Sequence, residues 1–383
     1  MTRSFLPRFS LPAVLAAALL AVPALAASPA PGLLETLHKH VTRASTVPAN
    51  GDLNPYALVV APASVGAIVK GDVLITNFNN RSNLQGTGTT IMRYTPATGK
   101  IAVFADLPQK TPGCPGGIGL GTALAVLKSG WVIVGSTPST DGTTATKGQG
   151  CLLVLDTGGH LAATWRAPDI NGPWGNIAWV DHGDTATLFI SMAGFDVPGP
   201  AVLDPATHAP VVVNKATVLR LSLAIPPSGP PTITARQVVA DGFGEHADPG
   251  AFLVGPTGLA LTPDGTLYVS DAVANSIVAI PDALTRSDSA GTGRMVTKDG
   301  LMQRPLAMVL TPAGHLLVTN ALNGQVVEID PVAGKQLYAQ WIDTDQAQTP
   351  PGNGDLFGIA MNAAGTGFYY VADDVNTLME ATP

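Results

Sequence analysis

Short apolar runs, each closed by Gly, Pro, Asp or Asn, follow one another from about residue 54 to the end of the chain. Such runs read as β-strands joined by turns, and 42 Gly with 33 Pro in 383 residues suit strands and turns better than long helices. The expectation is an all-β fold.

The runs also repeat. "LTPDGTLYVSDAVANSIVAI", from Leu261 to Ile280, is matched in outline by "LTPAGHLLVTNALNGQVVEID", from Leu310 to Asp330. The unit is a first apolar strand, a Gly-containing turn, a second strand ending in a small polar residue, and two further strands. Its first strands begin at Pro55, Gly121, Trp174, Pro256, Arg304 and Leu356, and its second strands end at Asn77, Ser136, Met192, Asp271, Asn320 and Asp373. These ends lie 59, 56, 79, 49 and 53 residues apart, and the insertion "AGFDVPGPAVLDPATHAPVVVN" accounts for the longest gap. Four short strands per unit, six times over, predict a six-bladed β-propeller of four-stranded antiparallel blades. A single blade cannot bury its own faces, so the chain repeats the unit until each sheet lies between two others.

The sixth unit stops after three strands, at "NTLMEATP". An open ring would expose a sheet edge. The segment "HKHVTRASTV", from His38 to Val47, is expected to supply the missing outer strand. The organisation expected is a leader over 1–26, an N-terminal segment with the closing strand over 27–53, and the propeller over 54–383.

The pattern Pro-x-Gly-Leu-Ala, an Asp-Gly turn, and a strand ending in Ser-Asp or Thr-Asn resembles NHL-type repeats. It is clearest in "GPTGLALTPDGTLYVSDAVANSIVAI" and "RPLAMVLTPAGHLLVTNALNGQVVEIDPVAGK". By this resemblance the chain is similar to the gluconolactonase and TolB-like superfamily of six-bladed propellers, which includes lactonases, lyases and proteins that only bind. The gluconolactonase relatives imply a divalent metal at the ring centre, held by a Glu on a first strand with Asn and Asp from other blades. Where their "EGP" would stand, this chain carries "NPY", Asn54 to Tyr56, and the "WFT" strand of the streptogramin lyases is absent.

Composition narrows the class. Hydrophobic residues make up 46% of the chain, enough for a large core, and charged residues only 12%. Arg3 and Arg8 precede an apolar run from Leu11 to Leu25 that ends at Ala24-Leu25-Ala26, the pattern of a cleaved export signal. The run is too short to favour a membrane span. Loss of those arginines takes the formal charge from −7 to −9, which argues against nucleic acid or anionic membranes as partners and permits cation binding. The expected product is a periplasmic or secreted monomer. An oxidising compartment would pair its two cysteines, Cys114 and Cys151. Their spacing supports neither a zinc ribbon nor a thioredoxin-type centre.

In a propeller, the loops before the first strand and after the second emerge on one face. Asn77, Ser136, Asp271, Asn320 and Asp373 are therefore expected to form a ring of oxygen donors at one mouth, broken by Met192 and suited to a polyol or a hard cation such as Ca²⁺. Asp271, Asn320 and Asp373 are the candidate metal ligands. Residues of this kind also commonly bond to the turn that follows their strand. Two loops belong to the same face: "DGFGEHADPGAF", with Glu245, His246 and Asp248, and "DTDQAQTPPGNGD", with Asp343, Asp345 and Asp355. A His beside carboxylates suits a general base or a metal ligand. Asn54, Tyr56, Trp174 and Phe357 stand at first-strand entrances, where a ligand would meet them. "GGIGLG", from Gly116, has no strand-turn-helix context for a dinucleotide loop and reads as a blade-entrance turn. Three functions follow: a propeller that binds a small molecule, glycan or protein at its mouth; a metal-dependent hydrolase or lyase; or a structural module of an envelope assembly.

Overall fold

The computed structural model describes residues 1–2 and 32–383, leaving aside 198 and 200, so the expected leader falls almost wholly outside the described residues. The first strand, β1 (Lys39–Ser45), precedes the blades. Blade one is β2 (Leu53–Val60), β3 (Val73–Asn79), β4 (Thr90–Thr95) and β5 (Lys100–Asp106); blade two is β6 (Leu120–Val126), β7 (Val132–Ser136), β8 (Cys151–Leu155) and β9 (Leu161–Trp165). Blade three is β10 (Ala178–Asp181), β11 (Thr185–Met192), β12 (Val213–Ala224), β13 (Thr232–Asp248) and β14 (Phe252–Val254). Blade four is β15 (Pro256–Leu261), β16 (Leu267–Asp271), β17 (Ser276–Ile280) and β18 (Arg294–Lys298); blade five is β19 (Pro305–Leu310), β20 (Leu316–Asn320), β21 (Gln325–Asp330) and β22 (Lys335–Trp341). Blade six is β23 (Leu356–Met361), β24 (Phe368–Ala372) and β25 (Thr377–Thr382), completed by β1.

Burial follows position in the blade. The middle strands β7, β8, β16, β17 and β20 are buried at every residue, as strands covered on both faces require, while the outermost β18 has no buried residue. The core lies between blades: Ile133 and Val154 of blade two share one apolar cluster with Leu188, Ile190 and Leu219 of blade three.

Buried hydroxyls tie neighbouring blades together near the axis. Thr76 donates to the carbonyl of Gly121 at 2.9 Å, Thr137 to that of Pro173 at 3.0 Å, Ser270 to that of Leu306 at 2.6 Å, and Thr319 to that of Phe357 at 2.9 Å. Each bond joins a second strand, or the residue after it, to the first strand of the next blade or its entrance. The approach is close enough that a Cβ on Gly258 would stand 2.3 Å from the Leu306 carbonyl oxygen, so only glycine fits there.

The terminal strand closes the ring as expected. β1 pairs antiparallel with β25 from Lys39 opposite Thr382 to Ser45 opposite Thr377. Its leading segment is pinned by the buried Glu328 carboxylate, which accepts from the Leu33 N–H at 3.0 Å and the Leu34 N–H at 2.9 Å. His315 Nδ1 lies 2.8 Å from the same carboxylate, and Arg43 pairs with Glu380 at 2.7 Å. Cys114 and Cys151 form a disulfide that ties the approach to β6 to the first residue of β8.

Blade three departs from the expected four strands. "DGFGEHADPGAF" is largely strand and not a loop: β13 runs through it to Asp248, paired with Val213 and Ala216 on one side and with β14 on the other. β-Bulges along the β12–β13 ladder absorb its glycines and keep the pairing, which composition alone does not reveal.

Two measurements follow. Ser270→Ala would strand the Gly258 N–H, now 2.6 Å from Ser270 Oγ, together with the Leu306 carbonyl, and is expected to lower the unfolding free energy in urea by about 1–3 kcal/mol. Titration of the unfolded, unreduced protein with a thiol reagent is expected to find no free thiol.

Candidate functional site

The first strands of five blades, through Tyr56, Thr122, Thr257, Leu306 and Phe357, and the approach to β10 in blade three, through Trp174, contribute to one pocket of about 370 Å³ at the channel mouth. Asp248, Gly250, Ala251, Leu253 and Val254, from the β13–β14 hairpin, line the same pocket, so the hairpin lies across the opening. Arg304 Nη1 holds Asp248 Oδ2 at 3.2 Å, and Gln85 Nε2 reaches the Pro249 carbonyl at 3.1 Å, which anchors the hairpin tip to blades five and one. The other oxygen of Asp248 accepts from the Gly250 and Ala251 N–H groups and shapes the tip.

Beneath the hairpin is an aromatic cluster. Tyr56 stacks on Phe357 with ring centroids 4.0 Å apart and on Phe78 at 4.7 Å, while Trp174 meets Tyr56 and Phe78 edge-on at 5.9 and 5.7 Å. Phe252 closes the cluster edge-on to Phe78 at 5.6 Å. Stacked and edge-to-face pairs at these separations are favourable beyond the area they bury.

Three of the residues other than glycine with positive φ lie at or behind this pocket. Phe252, Arg304 and Asn54 hold φ of +64°, +58° and +62°, a region that costs side chains other than glycine about 1–3 kcal/mol each. Polar groups in the pocket are few. Thr122 is buried and its hydroxyl has no hydrogen-bond partner. Burial, with the charges of Asp373 and Asp248, pushes the Tyr56 phenol well above its ordinary pKa and keeps it a neutral donor.

Of the sequence candidates, Tyr56, Trp174 and Phe357 line the pocket. Asn54 sits behind it, its N–H donating to Asn376 Oδ1 at 2.7 Å. The expected oxygen ring is turned into the blades. Asn77 donates to the Thr46 carbonyl and Thr90 Oγ1, and Ser136 bonds both Gly119 N–H and Gly117 carbonyl. Asp271 accepts from the Val273 and Ala274 N–H groups, and Asn320 bonds the Gln303 N–H and the Leu301 carbonyl. Asp271 thus bonds the turn after its strand, Ser136 and Asn320 bond the segments that lead into the first strands of their blades, and Asn77 bonds the chain just after β1. Asp373 is the member of the set whose charge reaches the pocket, through Tyr56; burial and the neighbouring Asp355 and Asp374 push its carboxyl well above the usual range.

Glu245 and His246 are separated by the strand they share. His246 is buried, with Nδ1 2.9 Å from the Ala247 carbonyl oxygen. Glu245 is wholly buried and neither carboxylate oxygen has a hydrogen-bond partner. Burial drives its pKa up to about 8, opposed by the positive charge of Lys147, whose own pKa burial lowers. The disulfide is not at the axis: Cys114 lines a separate polar groove of about 930 Å³ between blades one and two, with Arg81 and Lys110 at its exposed edge. The loop that follows β7 does reach inward, and Gly142, Thr143 and Thr144 face Asp248 and Phe252. The groove is the larger cavity, but it opens on two blades only, whereas the axial pocket is walled by all six.

The sequence reading missed Phe78, Phe252 and Thr122. It also missed Arg304 as a site residue, although an arginine before Pro305, where blade four has Gly255 before Pro256, was a visible signal.

Searches of family models and of curated proteins find no match to this chain. Among solved structures, a gluconolactonase from Xanthomonas campestris is similar over 91% of this chain and 91% of its own, with 15% identity and a TM-score of 0.54. A luciferin-regenerating enzyme is similar over 90% of this chain and 96% of its own, with 11% identity and a TM-score of 0.53. These likenesses are of fold: the chain is a six-bladed β-propeller of the kind its repeats predict.

The raised Glu245 pKa sets a pH dependence. The folded state keeps a proton that the unfolded state releases near its ordinary value of 4.5, so stability is complete below that value and is lost as pH rises toward about 8. Urea titrations across that window are expected to show a decline of a few kcal/mol, flattened in Glu245→Gln, whose side chain stays neutral.

Proposed function

We propose that this protein is an exported binding protein whose axial pocket holds a small, largely apolar ligand. The observation that carries the reading is the pocket itself. Its volume of about 370 Å³ falls within the roughly 300–1,000 Å³ typical of small-molecule sites. Its walls are aromatic and aliphatic, from Tyr56, Trp174, Phe357, Leu253, Val254 and Leu306, and its polar groups are few and specific. The unpartnered Thr122 hydroxyl and the Tyr56 phenol supply hydrogen bonds, and Arg304 supplies a donor at the rim. The left-handed backbone of the bulky residues Phe252 and Arg304 fits positions held for function.

Export is supported by the leader pattern and by the disulfide, which favours an oxidising compartment. Among the described residues no helix is long and apolar enough to cross a membrane. A glycan or protein partner has less support, because the hairpin covers the mouth and the walls beneath it are apolar. Metal-dependent hydrolysis at the axis also has less support, since Asp271 and Asn320 spend their side chains on nearby loop backbone.

The test is a panel of small apolar and aromatic compounds screened by thermal unfolding and tryptophan fluorescence. Binders are expected to raise the melting temperature, by the equivalent of about 2.7 kcal/mol at a hundredfold excess over Kd. Ala321→Trp, which fills the pocket from its wall, is expected to abolish that response while the free protein stays folded. Binders indifferent to Ala321→Trp, or no binders at all, would remove the reading.

A further inference from the structure

Blade six carries chemistry that the axial pocket does not use. Asp343 lies on the segment entering the blade, Asp355 just before β23, and Asp374 on the turn between β24 and β25. The chain folds so that one carboxylate oxygen from each lies within 4.8 Å of the others. Oxygens bound to one calcium ion at about 2.4 Å stand no more than about 4.8 Å apart, so the three carboxylates already have the spacing of a shared ion. Asp345 and Asp373 add two more acidic groups beside them. Among the described residues, none of the five forms an ion pair with Lys, Arg or His.

A second observation does not depend on the number of acids. Asp355 is only 4% exposed, and its Oδ2 is buried with no hydrogen-bond partner. Its Oδ1 has only a long 3.4 Å contact with Gln348 Nε2, and the Oε1 of that same Gln348 is also buried and unpartnered. A buried carboxylate left without donors is costly unless a charge of opposite sign completes it. Side chains from this blade supply no such charge. A cleft of about 680 Å³ leads to Asp343, Asp345 and Asp374 from solvent, which gives an ion a route in.

We infer that the mouth-side loops of blade six form a calcium site, with Asp343, Asp355 and Asp374 as carboxylate ligands and the Gln348 side-chain oxygen as a neutral donor. An all-oxygen set with several carboxylates suits a hard cation, and calcium tolerates irregular loop geometry better than magnesium. The site is separate from the axial pocket and stands whether or not that pocket binds a ligand.

Calorimetric titration of the chelator-treated full-length protein with calcium chloride tests this, together with thermal unfolding in calcium, in magnesium at equal ionic strength, and in chelator. The expected result is one equivalent of calcium bound in the millimolar range or tighter, with a rise in melting temperature that magnesium does not reproduce. Asp374→Asn, at an exposed position that the fold tolerates, is expected to weaken calcium binding by about tenfold or more. It should also reverse sign with conditions: more stable than the parent protein in chelator, where a repulsive charge has been removed, and less stable in calcium. Asp343→Asn should behave alike. Absence of heat and of any thermal shift, an equal response to magnesium, or variants more stable than the parent in calcium as well as in chelator would each overturn the assignment.

Discussion

The ring depends on how closely one blade approaches the next beside the axis. Thr76, Ser270 and Thr319 reach across that gap to a carbonyl on the neighbouring first strand, and Gly258 marks how little space remains. The dipeptides Thr76-Asn77, Ser270-Asp271 and Thr319-Asn320 therefore divide two tasks. The hydroxyl binds sheet to sheet, and the larger polar residue after it fastens a neighbouring loop: the chain after β1 for Asn77, the following turn for Asp271 and the approach to β19 for Asn320. Blade two lacks room for a side chain at Gly135, where a Cβ would meet the Pro173 carbonyl oxygen at 3.0 Å, and Thr137 makes the bond two residues later.

That division explains why architecture was more legible than chemistry. Repeat spacing, strand order and the closing strand at His38 to Val47 were written in local patterns of apolar runs and turns, and the cysteine pair followed from compartment. The oxygen donors at the strand ends were visible too, but their direction was not. Whether Asn320 faces an axis or a loop is decided by backbone groups at Leu301 and Gln303, which no periodicity brings together. The aromatic cluster was legible only in part. Tyr56, Trp174 and Phe357 announced themselves by standing at strand entrances, whereas Phe78 and Phe252 meet them only because the ring and the hairpin bring distant segments together. Composition misled at "DGFGEHADPGAF", whose Gly and Pro content reads as loop although bulged pairing makes most of it strand.

The axis is apolar at both ends. At the mouth it is closed by five rings and the hairpin; at the far end Leu58, Leu124, Leu259 and Met308 line another cavity of about 330 Å³. Beyond the Asp248–Arg304 pair at the mouth, charge gathers in the carboxylates of blade six and in the groove bearing Arg81 and Lys110. The centre of the ring is given largely to aromatic packing. The strained φ values of Phe252 and Arg304 mark where these arrangements meet, at the hairpin that covers the mouth.

The pairing of β1 with β25 has a consequence for biogenesis. An early segment must wait for a much later one, since Lys39 has no partner strand until Thr382 has been made. Contacts separated by nearly the whole chain form slowly, because so much polypeptide must be gathered before they are rewarded. A chain built this way stays an open arc through most of its synthesis and locks into a circle only when the two distant segments meet.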